Sequence, residues 1–126
     1  MNEAKLFDFL QNIYLDLCPS SDMFSPYDCF TESSNLYIEL KCRKTHYDDL
    51  LIEQVKYDRL RKEARGRGML PIYICSTPKG IWGWNLAQTR IEWESRELPT
   101  TTEFEDKSTK QKIVGYLKIS QGKKLD

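Results

Sequence analysis

A chain of 126 residues, 40% hydrophobic and 12% aromatic, is long enough for one real core and too short for two, so a single domain over residues 1–126 is expected. Lys and Arg balance Asp and Glu at 19 each, which excludes a global field drawing the protein onto nucleic acid or membrane and leaves polyanion binding to a local patch. No apolar run approaches bilayer length and the opening MNEAKLFDFL is unlike a signal peptide, so a soluble cytoplasmic protein (host cytoplasm if viral) with no membrane partner is expected.

Residues 3–17 read as a helix, with Leu6, Phe7, Leu10, Ile13, Tyr14 and Leu17 on one stripe, ended by Pro19, Ser20 and Ser21. Strands follow over 27–31 and 36–43, joined by Glu32-Ser33-Ser34-Asn35. A second helix is expected over 47–65, capped near Thr45 or Asp48 and stopped by Gly66 and Gly68. Residues 71–76 form a strand, Thr77-Pro78-Lys79-Gly80 a turn and 81–86 a return strand. Residues 90–98 are candidates for extended chain, and Pro99 with the threonines after it marks a loop. The segment 108–119 looks helical, with Ile113, Val114 and Leu117 apolar and Lys107, Lys110, Lys112 and Lys118 outside. This order implies an α/β fold, a mixed central β-sheet flanked by helices.

The cysteines, Cys18, Cys29, Cys42 and Cys75, include no C-x-x-C pair, and His46 has no partner at ligand spacing. Buried reduced thiols are therefore expected rather than zinc or a disulfide framework.

The hairpin carries the chemistry. Alternation puts Leu36, Ile38, Leu40 and Cys42 on one face of the second strand and Tyr37, Glu39, Lys41 and Arg43 on the other. A short turn through Ser33-Ser34 places Asp28 directly opposite Glu39, with Cβ atoms roughly 4.5–5.5 Å apart, where two carboxylates repel. Lys41 stands two residues along the same face, and a divalent cation would offset the repulsion further. Carboxylates with a backbone carbonyl and water are a donor set that Mg²⁺ accepts. The competing reading is a solvated face on which Lys41 or Arg43 neutralises the acids. In the next helix Leu50, Glu53, Tyr57, Leu60 and Ala64 share a stripe flanked by Gln54 and Lys56, so the pocket set is Glu53, Gln54, Lys56, Tyr57 and, from the first helix, Glu3.

An Asp before a hairpin (Asp28, with Pro26 and Tyr27 ahead of it), then Glu39-Leu40-Lys41 and a helix, resembles the PD-(D/E)XK nuclease superfamily, in particular its small phage or mobile-element members. The resemblance covers roughly residues 1–86, leaving 87–126 as a C-terminal extension. It implies a restriction-endonuclease-like fold and an Mg²⁺-dependent DNA endonuclease, with structure-specific cleavage as the finer expectation and Mn²⁺ as a substitute cofactor. Asp28, Glu39 and the Leu40 carbonyl would hold the metal, and Asp28, Glu39 and Lys41 would be the catalytic residues. Gln54, Lys56 and Tyr57 match the residues that a following helix supplies. The family's further strand before the Asp strand has only residues 22–25 available to it.

A basic run, Arg43, Lys44, Arg59, Arg61, Lys62, Arg65 and Arg67, is the candidate nucleic-acid-binding set, read against a solvated helix end. Trp82 and Trp84 share a strand face and suit core packing better than base stacking. The partner expected is DNA, with RNA left open, and a homodimer fits a nuclease that must cut two strands. The alternative function is a nuclease-like nucleic-acid- or protein-binding module without cleavage.

Overall fold

The structure, a computed structural model, describes residues 1–20, 28–99 and 109–126. Helix α1 (Glu3–Leu10) starts at Asn2, whose side-chain oxygen accepts the Lys5 N–H at 2.9 Å, and buries Leu6 and Leu10. The helix expected over 3–17 therefore stops early. Asp16 is held instead by the hairpin: Oδ1 accepts from the Thr31 and Ser33 hydroxyls, and Oδ2 from the Ser33 N–H at 2.9 Å. With the chain turned there, Leu17 is buried while Ile13 and Leu15 are exposed. Residues 18–19 form β1 (Cys18–Pro19), paired with β2 (Asp28–Thr31). A strand thus precedes the Asp strand, but at 18–19; residues 22–25, together with Pro26 and Tyr27, lie outside the described residues.

Strand β3 (Leu36–Cys42) pairs antiparallel with β2 in the expected register, Thr31 with Leu36 and Asp28 with Glu39. Asn35 closes the turn at φ 58°, a left-handed conformation that Asn tolerates.

The segment expected as one helix over 47–65 divides. Residues 49–53 are strand β4 (Asp49–Glu53), and α2 runs only from Gln54 to Gly66. Leu50 and Ile52 alternate into the core while Asp49, Leu51 and Glu53 do not, a period of two that the helical stripe had absorbed. The C-terminal segment expected as a helix is likewise a strand, β8 (Thr109–Lys118), lying between β4 and β7 (Glu94–Pro99). Gly115 and the β-branched Ile113-Val114 suit that strand better than a helix interior. A Cβ on Gly115 would clash with Ile91 Cγ2 and stand 3.0 Å from the Glu92 carbonyl oxygen, so the chain crosses β8 closely at this point. Lys107 lies outside the described residues.

Strand β5 (Leu70–Thr77) returns parallel to β3, and β6 (Gly80–Asn85) pairs antiparallel with β5. A short β9 (Lys123–Lys124) pairs with β6. The result is a mixed six-stranded sheet ordered β1-β2-β3-β5-β6-β9 beside a three-stranded sheet ordered β4-β8-β7. One face of the larger sheet packs on α1 through Ile38, Leu40 and Ile74 against Leu6 and Leu10. The other packs on α2 and the smaller sheet through Tyr37, Tyr73 and Trp84 against Leu60, Ala64 and Leu117. The α/β architecture of a mixed sheet flanked by helices is the one expected. Cysteines 29 and 75 are buried free thiols, Cys42 is half-buried and Cys18 exposed. No described helix is long and apolar enough to cross a membrane.

Candidate functional site

The site is built on the β2–β3 hairpin, whose register sets Asp28 and Glu39 side by side on the face turned toward α2. Both are taken out of water: Asp28 is 3% exposed and the Glu39 side chain 15%. Tyr37, two residues before Glu39 and fully buried, donates its hydroxyl to Asp28 Oδ2 at 3.3 Å. Two facing carboxylates in this setting require positive charge.

That charge comes from the middle of α2. Arg59 donates through Nη1 to Asp28 Oδ2 at 3.0 Å and through Nη2 to Glu39 Oε1 at 2.8 Å, one amino group to each carboxylate. Lys56 and Glu63, at i−3 and i+4, share the helix side of Arg59. Burial raises the pKa of Glu39 against the pull of Arg59, and Asp28 adds to the rise. Burial also opposes the charge on Arg59, but the hydrogen bond and charge of Asp28, with Glu39 behind them, hold its pKa above the usual value. One guanidinium against two ionised carboxylates leaves a negative charge over. It also leaves Glu39 Oε2 buried without a hydrogen-bond partner among the described residues.

Lys41 is half-buried on the same strand face as Glu39, two residues further along. Leu40 points the other way, into the α1 layer, and lines with Glu3, Asp28 and Pro19 a cavity of ≈ 230 Å³. Glu3 therefore lies on the α1 side of the sheet, across from the face on which Glu39 meets Arg59. Other expected pocket residues are turned elsewhere. Glu53 pairs with Lys112 at 2.8 Å and Lys56 at 3.4 Å, and the Lys112 bond lowers its pKa. The Tyr57 hydroxyl donates to the Leu86 carbonyl at 3.3 Å, and its ring meets Trp93 edge-on. Because α2 begins at residue 54, the stripe joining Glu53 and Tyr57 to the acids does not exist. Gln54 is half-buried in the first turn, and Lys56 is exposed near enough to Glu39 to lower its pKa.

The basic set also divides. Arg59 belongs to the carboxylate pair, Arg43 turns inward to the Leu51 carbonyl, and Arg61 donates to the Tyr57 hydroxyl at 3.1 Å. Arg67 lies over the Tyr37 ring at 4.9 Å from its centroid, and Lys44, Lys62 and Arg65 are exposed. Trp82 and Trp84 are core residues. The sequence held no signal that set Arg59 apart from the rest of the basic run. For Asp16 there was none either, since its partners sit fifteen and seventeen residues away.

The donor chemistry fits a hard divalent cation. Carboxylate oxygens are its preferred ligands, and the orphaned Glu39 Oε2 is an atom that such an ion would satisfy. Among the described residues no group of three or more His, Cys, Asp or Glu is gathered closely enough to hold a metal, so backbone and water would complete the shell.

No family model and no curated protein matches this sequence. Among solved structures the chain is similar to Hjc of Archaeoglobus fulgidus, a Holliday junction resolvase from an archaeal hyperthermophile. The two share 17% identity at a TM-score of 0.60, over 98% of this chain and 93% of that one. The likeness is one of fold, and the restriction-endonuclease-like architecture expected from the PD-(D/E)XK resemblance is the architecture found.

Proposed function

We propose that this protein is a divalent-cation-dependent DNA endonuclease acting on branched DNA, with Mg²⁺ as cofactor and Mn²⁺ able to replace it. The observation that carries the reading is the buried, facing pair Asp28 and Glu39 with one oxygen unsatisfied and Lys41 further along the same strand face. Asp28, Glu39 and the Leu40 carbonyl would hold the cation, which when bound supplies Lewis acidity toward the phosphate and lowers the pKa of a water. Lys41 places a positive charge where negative charge develops on the phosphoryl oxygens. Its i, i+2 spacing from Glu39 keeps both on one strand face, where a helix would part them by about 200°. Exposed Lys44, Lys62 and Arg65 are the groups left to contact flanking phosphates. Branched DNA is the substrate class that the similarity to a Holliday junction resolvase suggests. Cutting two strands calls for two sites, hence a homodimer.

The test incubates four-way junction, linear duplex and single-stranded DNA with the protein in Mg²⁺, Mn²⁺ or EDTA. Nicking of the junction that needs the cation, and that Lys41→Ala abolishes while junction binding persists, is the expected result. A second reading is favoured by Arg59, which already supplies a cation to the acids: a nuclease-like DNA-binding module without cleavage. That reading predicts junction binding equal in EDTA and Mg²⁺, and no cut product.

A further inference from the structure

A guanidinium that spans two carboxylates occupies the ground between them. Arg59 takes one oxygen from each, Asp28 Oδ2 at 3.0 Å and Glu39 Oε1 at 2.8 Å. Arginine only donates, so it shares no ligand shell with a metal, and like charges at such separations repel strongly. The partners differ in freedom. Asp28 and Glu39 are fixed by the hairpin and buried, whereas Arg59 reaches in from α2 on a long side chain that is 36% exposed. Only the arginine has a way out.

The geometry points to Arg59 as a resident competitor for the cation seat, offsetting one of the acid pair's two charges in the metal-free protein and displaced when a divalent ion binds. This rests on the reading of Asp28 and Glu39 as a cation site. Once displaced, the guanidinium stays on the helix side that carries Lys56, three residues before it, where it adds a planar donor fork for a phosphate. Metal loading and the supply of that cation to DNA are then one event. The charge count agrees: with Arg59 bound the pair keeps one negative charge, and a divalent ion in its place removes both.

The test titrates Mn²⁺ calorimetrically into the wild-type chain and the Arg59→Gln, Arg59→Lys and Glu39→Gln variants, without DNA. Removal of the competitor tightens Mn²⁺ binding in Arg59→Gln on the order of tenfold. Arg59→Lys, which keeps the charge but cannot span both acids, falls between, and Glu39→Gln loses binding. In parallel, Mg²⁺ is added to ¹⁵N-labelled wild-type protein, and the hindered Nη signals of Arg59 are expected to become those of a freely rotating guanidinium. Should Arg59→Gln fail to fold, this second measurement decides alone. Equal Mn²⁺ affinity in wild type and Arg59→Gln, or Arg59 signals unchanged at saturating Mg²⁺, overturns the competitor role and leaves the nuclease reading standing. Absence of Mn²⁺ binding in both proteins overturns the cation site itself.

Discussion

Arg59 and Asp16 show how single side chains hold this structure in different ways. Arg59 offsets the repulsion of two buried acids, so Arg59→Ala leaves an uncompensated pair. Because its side chain is 36% exposed, the loss is expected at about 2 kcal/mol, below the range for fully buried pairs, read as a lower denaturation midpoint in EDTA. Asp16 is solvent-facing, and the Thr31 hydroxyl, with the N–H and hydroxyl of Ser33, brings its pKa from 3.8 to about 2. A carboxylate whose folded pKa lies below its unfolded value stabilises above the unfolded pKa and stops doing so as pH falls through the folded one. Asp16→Asn is therefore expected to melt below wild type at pH 6, with the gap closing as pH falls from 3.8 toward 2. A gap independent of pH would contradict this. The facing of Asp28 and Glu39 was legible in the sequence because a tight turn fixes register. Their partner was not, since Arg59 comes from a helix that begins at Gln54, seven residues after the start that the apolar spacing predicts.

At the element scale, two apolar segments were read with the wrong period. Leu50 and Glu53 sit three apart, as on a helix, yet only Leu50 and Ile52 of this segment enter the core. What decides is β8, which offers Leu117 opposite Leu50 and Gly115 opposite Ile52, a pairing that no local pattern announces. Each misread segment completes the other's ladder, so mistaking one hid both. The hairpin, β5 and β6 were legible because their alternation is bounded by turn residues. Gly115 is the residue that commits β8 to its place. Gly115→Ala is expected to destabilise by about 3 kcal/mol, because Ile91 and the Glu92 backbone must move. Adding Ile91→Ala should recover part of that loss, since it removes the clash with Ile91 Cγ2 but not the contact with the Glu92 carbonyl oxygen. Chemical denaturation of the single and double variants measures both.

On the scale of the whole molecule, a balanced chain has no net field to gather DNA. Affinity under the proposed function then rests on a local group of cations, and Lys44, Lys62 and Arg65 are exposed members of the expected basic set with no aromatic or carboxylate partner among the described residues. Their phosphate contacts predict a salt dependence with a log–log slope of about −3, and Lys62→Ala or Arg65→Ala should each reduce it by about one unit. A slope that those substitutions leave unchanged places the DNA on another face. The fold itself puts the hairpin between α1 and α2, so the acids are supported from the α1 side by the Leu6 and Leu10 layer and meet Arg59 on the α2 side.

Crystals soaked in Mn²⁺ and measured for anomalous scattering would show directly whether Asp28 and Glu39 hold a cation. A peak is expected within about 2.0–2.6 Å of an Asp28 carboxylate oxygen and of Glu39 Oε2, with the Arg59 guanidinium withdrawn from both acids. Saturating Mn²⁺ that leaves no peak there, and Arg59 still bridging the pair, would contradict a cation seat at these acids.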